Sequence, residues 1–190
     1  MTVNDSSITI APCNGKMPRI HSSAFIAPGC RIIGDVEIGP DSLVWYNCVI
    51  RGDANRVIIG ARTNIQDGTV VHCESPKPRR PEGFPTIIGD DVLIGHMAMV
   101  HGTILEDRSF VGLGAIVMDG CRIESDAMLA AGAMLTPGKV IPSRQMWMGR
   151  PAVFTRELND AQLADMQAGV KGYVINSQRH RASLYGPAAD

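Results

Sequence analysis

The stretch "VLIGHMAMVHG", Val92 to Gly102, sets His96 and His101 five residues apart in an apolar run, and "TVVH" places a third histidine, His72, further upstream. Neutral imidazoles are metal ligands, and three of them around one divalent cation leave a fourth position open for water. That arrangement brings the pKa of the bound water to about 7. The spacing of His96 and His101 matches neither the i,i+4 geometry of a helical zinc site nor the i,i+2 geometry of one strand face. A single histidine in such a run is more often a hydrogen-bonded core residue than a ligand, so the outcome depends on the backbone that carries them.

That backbone is written in a six-residue ruler. Ile20, Ile26, Ile32, Ile38, Val44 and Ile50 fall six apart, and four residues after each come Ala24, Cys30, Val36, Ser42, Cys48 and Ala54. The register resumes at Ile59, Ile65 and Val71, again at Ile88, Ile94 and Val100, and then runs from Leu105 through Val111, Val117, Ile123, Leu129 and Leu135 to Ile141. In that last run the second slot holds Ser109, Ala115, Cys121, Ala127, Ala133 and Lys139. A helix at 3.6 residues per turn would rotate a six-residue repeat off its face by about 120° each time. A short flat strand and a corner, repeated three times per coil, hold the spacing, with coils about 4.8 Å apart. The branched residue points into the prism and the small one fits the corner. The pattern resembles that of hexapeptide proteins, and the resemblance implies a left-handed parallel β-helix.

Composition agrees. A chain of 190 residues with 45% hydrophobic content, only 5% aromatic residues and 20 glycines suits a stack of small units in one domain. The expected division is a β-helix over 18–145 and a C-terminal helix over 155–178. In that helix Asn159 caps with Gln162 three residues on, and Leu163, Met166, Val170 and Tyr173 or Val174 form one face. Eighteen basic against nineteen acidic residues, a net charge of −1, give no footprint for nucleic acid or an acidic membrane. "MTVNDSSITI" lacks the basic start and apolar core of a leader, and no run approaches a membrane span. The expectation is a cytoplasmic protein whose partners are small molecules and its own copies. Five cysteines with no C-x-x-C form neither a disulfide framework nor a zinc ribbon. Cys30, Cys48 and Cys121 read as corner fillers, the first two on adjacent coils.

Breaks in the ruler mark loops. Three residues are inserted around "RGDANR" between Ile50 and Ile59, and eleven around "CESPKPRRPEGFP" between Val71 and Ile88. Because Val71 and Val100 stack, His72 and His101 point outward from one edge about one strand spacing apart. His96 lies on the preceding face. A threefold trimer, in which His96 of one subunit meets His72 and His101 of another, brings the three together.

"RGD" at 51–53, "NIQDGTVVH" at 64–72 and "GHMAMVHG" at 95–102, set in hexapeptide coils from about Pro18 to Tyr173, resemble the gamma-class carbonic anhydrase family. The resemblance implies a lyase that hydrates carbon dioxide to bicarbonate through a metal-bound hydroxide in a homotrimer. His72, His96 and His101 match its ligands to zinc, or to iron or cobalt. Gln66 matches a residue that hydrogen-bonds the bound water. Arg51 and Asp53 match residues that tie subunits together, with Asp67 their partner across the interface. For these three a structural ion network competes with direct catalysis. Tyr173 matches a tyrosine reaching the site from the terminal helix, against plain helix packing. The best-known members carry a glutamate where this chain has Ala54, and a second on a loop that here holds Lys77, Arg79 and Arg80 against Glu74 and Glu82. Glu74 is the local substitute for that proton relay. Rival readings are a hexapeptide acyltransferase, a metal-dependent thioesterase, and a metal-stabilised trimeric scaffold.

Overall fold

A computed structural model describes residues 7–186; residues 1–6, part of the stretch inspected for a leader, and residues 187–190 lie outside it. The chain winds as a left-handed parallel β-helix with three faces. The first face stacks the short strands Phe25–Ile26, Leu43–Val44, Asn64–Ile65, Leu93–Ile94, Phe110–Val111 and Met128–Leu129, and then Gln145–Gly149. The second carries Val70–His72, Met99–His101, Ile116–Val117 and Met134–Leu135, and the third Thr86–Ile88, Ile104–Leu105, Arg122–Ile123 and Val140–Ile141. Two longer strands, Arg31–Ile38 and Val49–Ile59, turn the corner from the second face to the third and join both into one sheet.

The ruler holds because each inward slot sees only its equivalents above and below. From Ile32 to Ile141 every branched ruler residue is buried. Of the small second slots, Ala54 is half-buried and Lys139 is exposed, the latter because the prism is ending there. "RGDANR" is not the loop the sequence suggests. Its backbone stays extended within Val49–Ile59 and pairs with Arg31–Ile38 as Ile33 with Arg51, Gly34 with Gly52, and then Val36 with Val57. The extra residues are therefore taken up as a bulge that aims Asp53 outward, a usual device for redirecting a side chain. The eleven-residue insertion does leave the prism, as an arm closed by antiparallel bridges from Glu74 to Phe84 and from Lys77 to Arg80.

The corner between the third and first faces is formed by residues with left-handed backbone: Asp41, Arg62, Asp91, Arg108, Asp126 and Arg144, with φ between 54° and 63°. Side chains other than glycine, asparagine or aspartate pay for this conformation. Here the arginines recover part of that cost through carboxylate contacts: paired ones from Arg62 to Asp91 at 2.7 Å and from Arg108 to Asp126 at 2.9 Å, and a single one from Arg144 to Asp160 of the terminal helix at 2.6 Å. Acid and base alternate coil by coil up this edge.

Past the last coil, Ala152–Glu157 folds back antiparallel on Gln145–Gly149, so residues 155–157 belong to a hairpin. The terminal helix runs Asp160–Tyr185, starting later and ending later than the sequence pattern implies. Asn159 accepts the Gln162 N–H at 3.0 Å and the Gln162 side chain accepts the Asn159 N–H at 3.2 Å, a complete capping box. Asn159→Ala is expected to lower stability by about 1 kcal/mol, measured by chemical denaturation, with loss of helical signal confined to the first turn. The helix covers the outward side chains of the first face. Phe25, Leu43 and Trp45 are buried there with Tyr173 and Val174 packed on them, and Leu163, Val170 and Ser177 are the helix's buried residues.

Candidate metal centre

His72 and His101 are register partners on adjacent coils, as the stacking of Val71 on Val100 requires. Their rings lie 5.0 Å apart between centroids, with His72 Nδ1 facing His101 Nε2 at 3.0 Å. The other nitrogen of each ring meets a carboxylate: His72 Nε2 lies 2.9 Å from Asp53 Oδ1 and His101 Nδ1 lies 2.6 Å from Asp119 Oδ1. A carboxylate can only accept, so each outer nitrogen donates, and in the neutral rings each inner nitrogen then carries a lone pair. Two such lone pairs at this separation need a cation between them, either a proton shared as N–H···N or a metal ion. The edge of a tetrahedral site with bonds of 2.0 to 2.1 Å is about 3.3 Å, so a small opening of the pair accommodates zinc. The donor set therefore fits a metal.

Around this pair, Arg51 hydrogen-bonds Asp53 through its second oxygen. Burial opposes ionisation of Asp53, but hydrogen bonds from His72 and Arg51 outweigh it and hold the carboxyl below its ordinary pKa. Glu74 sits on the antiparallel arm, paired with Lys77 at 3.2 Å, and that hydrogen bond lowers its pKa in turn. A groove of about 440 Å³ between the arm and the prism is lined by Glu74, Lys77, Arg80, Phe84 and Asp119. A second groove, of about 290 Å³, runs past Asp53 and Ala54.

His96 occupies a different edge, between the first and second faces, next to the left-handed corner at Met97. Its Nδ1 lies 2.8 Å from Asp67 Oδ2. Its backbone N–H donates to Gln66 Oε1 at 3.2 Å, and Gln66 is only 3% exposed. That bond occupies the amide oxygen, so what Gln66 chiefly has left to offer is its N–H2 donor. Within one chain the structure thus places these residues in two separate groups: His72, His101, Arg51, Asp53 and Glu74 at one edge, His96, Gln66 and Asp67 at another. Among the described residues of the single chain no group of three or more His, Cys, Asp or Glu side chains is placed so that it could hold a metal ion. Tyr173 joins neither histidine pair nor Asp67; it packs edge-on against Trp45 at 5.8 Å.

Asp119 was not found by motif, though the ruler contained the signal. It lies 18 residues after His101, three repeats and hence one coil further on at the same corner.

The comparisons follow the same pattern. The family described as "Bacterial transferase hexapeptide (six repeats)" matches residues 17–52, and "Hexapeptide repeat of succinyl-transferase" matches 85–112 and 102–137. The chain is 39% identical to a protein named carbonic anhydrase from Geobacillus kaustophilus, covering 91% of each. It is 44% identical to gamma carbonic anhydrase 1, mitochondrial, of Arabidopsis thaliana over 90% of its own length, but spans only 62% of that relative. A solved structure described as a hexapeptide transferase family protein from Anaplasma phagocytophilum superposes with a TM-score of 0.84 at 41% identity, covering 90% of this chain and 97% of that one.

Proposed function

The chain belongs to the gamma carbonic anhydrase family, and from that premise we propose that it hydrates carbon dioxide to bicarbonate at a metal centre shared between copies in a homotrimer. The observation that carries the reading is the His72–His101 pair, whose facing nitrogens lie 3.0 Å apart while carboxylates hold both outer ones. His96 of the neighbouring copy supplies the third ligand. When bound, a cation held by three neutral imidazoles, zinc or else iron or cobalt, supplies the Lewis acidity that makes water a nucleophile near neutral pH.

The chain's own residues do the rest. Gln66 donates from its amide nitrogen and orients a water without adding charge. Arg51 steadies Asp53, which fixes the His72 ring, and Asp67 does the same for His96. Reaction releases a proton, and Glu74 accepts it poorly because Lys77 stabilises its ionised form. The turnover is consequently limited by proton exit. Ala54 is half-buried and borders the 290 Å³ groove beside Asp53. Ala54→Glu is expected to raise kcat about tenfold, with kcat/KM changed much less, in stopped-flow hydration at low buffer.

The trimer is supported by the outer surface of the second face, which separates the two histidine edges. Val49, Val70, Met99, Ile116 and Met134 are register neighbours there, and Met97 and Leu113 stand exposed beside them at 71% and 53%. A contiguous apolar strip of this kind is covered in a working assembly. No helix among the described residues is long and apolar enough to cross a membrane. All five cysteines are free, including Cys30 and Cys48 on adjoining coils, which supports a reducing compartment, the cytoplasm.

The deciding experiment is metal analysis of the purified protein with stopped-flow carbon dioxide hydration. Zinc-loaded protein should exceed the buffer rate, His96→Ala should not, and chelation should lower the melting temperature. Fully loaded protein with no hydration between about pH 6 and about pH 9 would remove the reading. Acyl transfer is the second reading, favoured by the description of the Anaplasma structure. It predicts that release of free thiol from acetyl-CoA depends on an added amine or hydroxyl acceptor, which takes the acetyl group, and survives chelation of the metal.

A further inference from the structure

We propose that Asp119 is the positioning residue of His101, holding the ring as its Nδ1–H tautomer so that the lone pair of Nε2 is aimed at the ligand position. The proposal deepens the metal-centre reading above and rests on it for its consequence, though not for its geometry.

The contact itself comes first. At 2.6 Å, Asp119 to His101 is the tightest of the three histidine–carboxylate contacts; those of His96 and His72 are 2.8 and 2.9 Å. Asp53 divides its two oxygens between His72 and Arg51, whereas Asp119 has no Lys or Arg within ion-pair distance among the described residues. Its charge is committed to one imidazole.

The backbone around Asp119 is fixed on both sides. The Gly138 N–H donates to the Asp119 carbonyl at 2.9 Å, and the next residue, Gly120, donates to the Gly102 carbonyl at 2.8 Å. The carboxylate is thus set in the coil above and lies over the residue that follows His101. Gly102 has a φ of +51°, and a Cβ there would come within 2.2 Å of Asp119 Oδ1 and 2.8 Å of Phe84 Cβ. The absent side chain at Gly102 is what lets the carboxylate reach His101 from that side.

The chemistry follows from which atom faces which. An unconstrained neutral histidine favours Nε2–H, and the tautomer in a protein is set by the hydrogen bond the other nitrogen makes. A carboxylate at Nδ1 reverses the preference and leaves Nε2 as the atom directed at His72. It also makes that nitrogen a stronger donor, the general role of a carboxylate behind a ligating imidazole.

The test reads the tautomer directly, without metal. Nitrogen chemical shifts of the apo protein at about pH 9, above the ordinary imidazole range, should show His101 as Nδ1–H in the wild type. Asp119→Ala should move it to Nε2–H while His72 is unchanged. Asp119→Asn keeps an acceptor oxygen and the side-chain shape, so it should retain Nδ1–H. Zinc affinity by chelator competition should fall about 10- to 100-fold in the alanine variant and by a smaller factor in the asparagine variant. A folded alanine variant that keeps Nδ1–H, or one whose zinc affinity is undiminished, overturns the proposal. Should the alanine variant not fold, Asp119→Leu, of similar shape but with no acceptor, is read in the same way. A wild-type protein that takes up no metal overturns the metal-centre reading instead, and the nitrogen shifts still support or overturn the positioning role on their own.

Discussion

Unfolding His72→Ala together with His96→Ala and refolding the equimolar mixture is expected to restore about a quarter of the metal sites, whereas either variant alone has none. Each intact site needs His72 and His101 from a His96→Ala copy and His96 from a His72→Ala neighbour. In a closed ring of randomly mixed chains that adjacency occurs at about one interface in four. Mixing His72→Ala with His101→Ala restores nothing, because both ligands belong to the same group and each copy lacks one. The reason lies in the fold: His72 and His101 are register partners at one edge, while His96 leaves the prism at another. Metal bound per chain, counted after gel filtration of the refolded mixtures, decides the matter. Recovery in the second mixture, or its absence from the first, would sink the shared centre.

Trp45→Ala is expected to destabilise the protein by about 4 kcal/mol, within the range for deleting a buried aromatic. Trp45 is 4% exposed, stacks edge-on with Phe25 at 5.5 Å, Tyr173 at 5.8 Å and His180 at 5.0 Å, and donates its indole N–H to Asn64 Oδ1 at 2.6 Å. Removing it opens a cavity beneath the terminal helix and also leaves a buried amide oxygen without its donor, which costs about 1–3 kcal/mol by itself. Because the lost contacts join helix to prism, proteolysis at Lys171, Arg179 and Arg181 should accelerate well before the coils unfold. Trp45→Phe keeps most of the packing and should lose about half as much. A loss below about 1 kcal/mol for the alanine variant in chemical denaturation would mean that the helix is held elsewhere.

These residues also show where the sequence could be read and where it could not. The prism was legible because Ile32 through Val117 to Ile141 obey one rule set by one environment: an inward slot admits only a branched apolar side chain. The His72–His101 pair followed from the same rule by counting repeats. The His96 edge followed too, since its distance from Ile94 places it on the preceding face. What escaped were positions decided by neighbours distant in sequence. "RGDANR" carries glycine, asparagine and aspartate, the composition of a loop, yet Arg31–Ile38 already offers an unsatisfied edge that keeps it extended. Thr155, Arg156 and Glu157 look like the start of a helix until Gln145–Gly149 supplies a strand to pair with. Asp119 is one of nineteen acidic residues, and only the coil spacing singles it out.

The alternating corner of Asp41, Arg62, Asp91, Arg108, Asp126 and Arg144 has a consequence for how such a protein can change length. The inward rule has a period of one coil, so it tolerates the duplication or loss of any single coil. The corner has a period of two. Adding or deleting one coil within this edge would set like charges on neighbouring corners, a few ångströms apart, and would leave an arginine in its unfavourable backbone conformation without its carboxylate or a carboxylate without its arginine. Growth by pairs of coils keeps every arginine next to a carboxylate. The edge therefore acts as a parity check on the solenoid: the core permits any number of coils, and the charges permit changes only in twos.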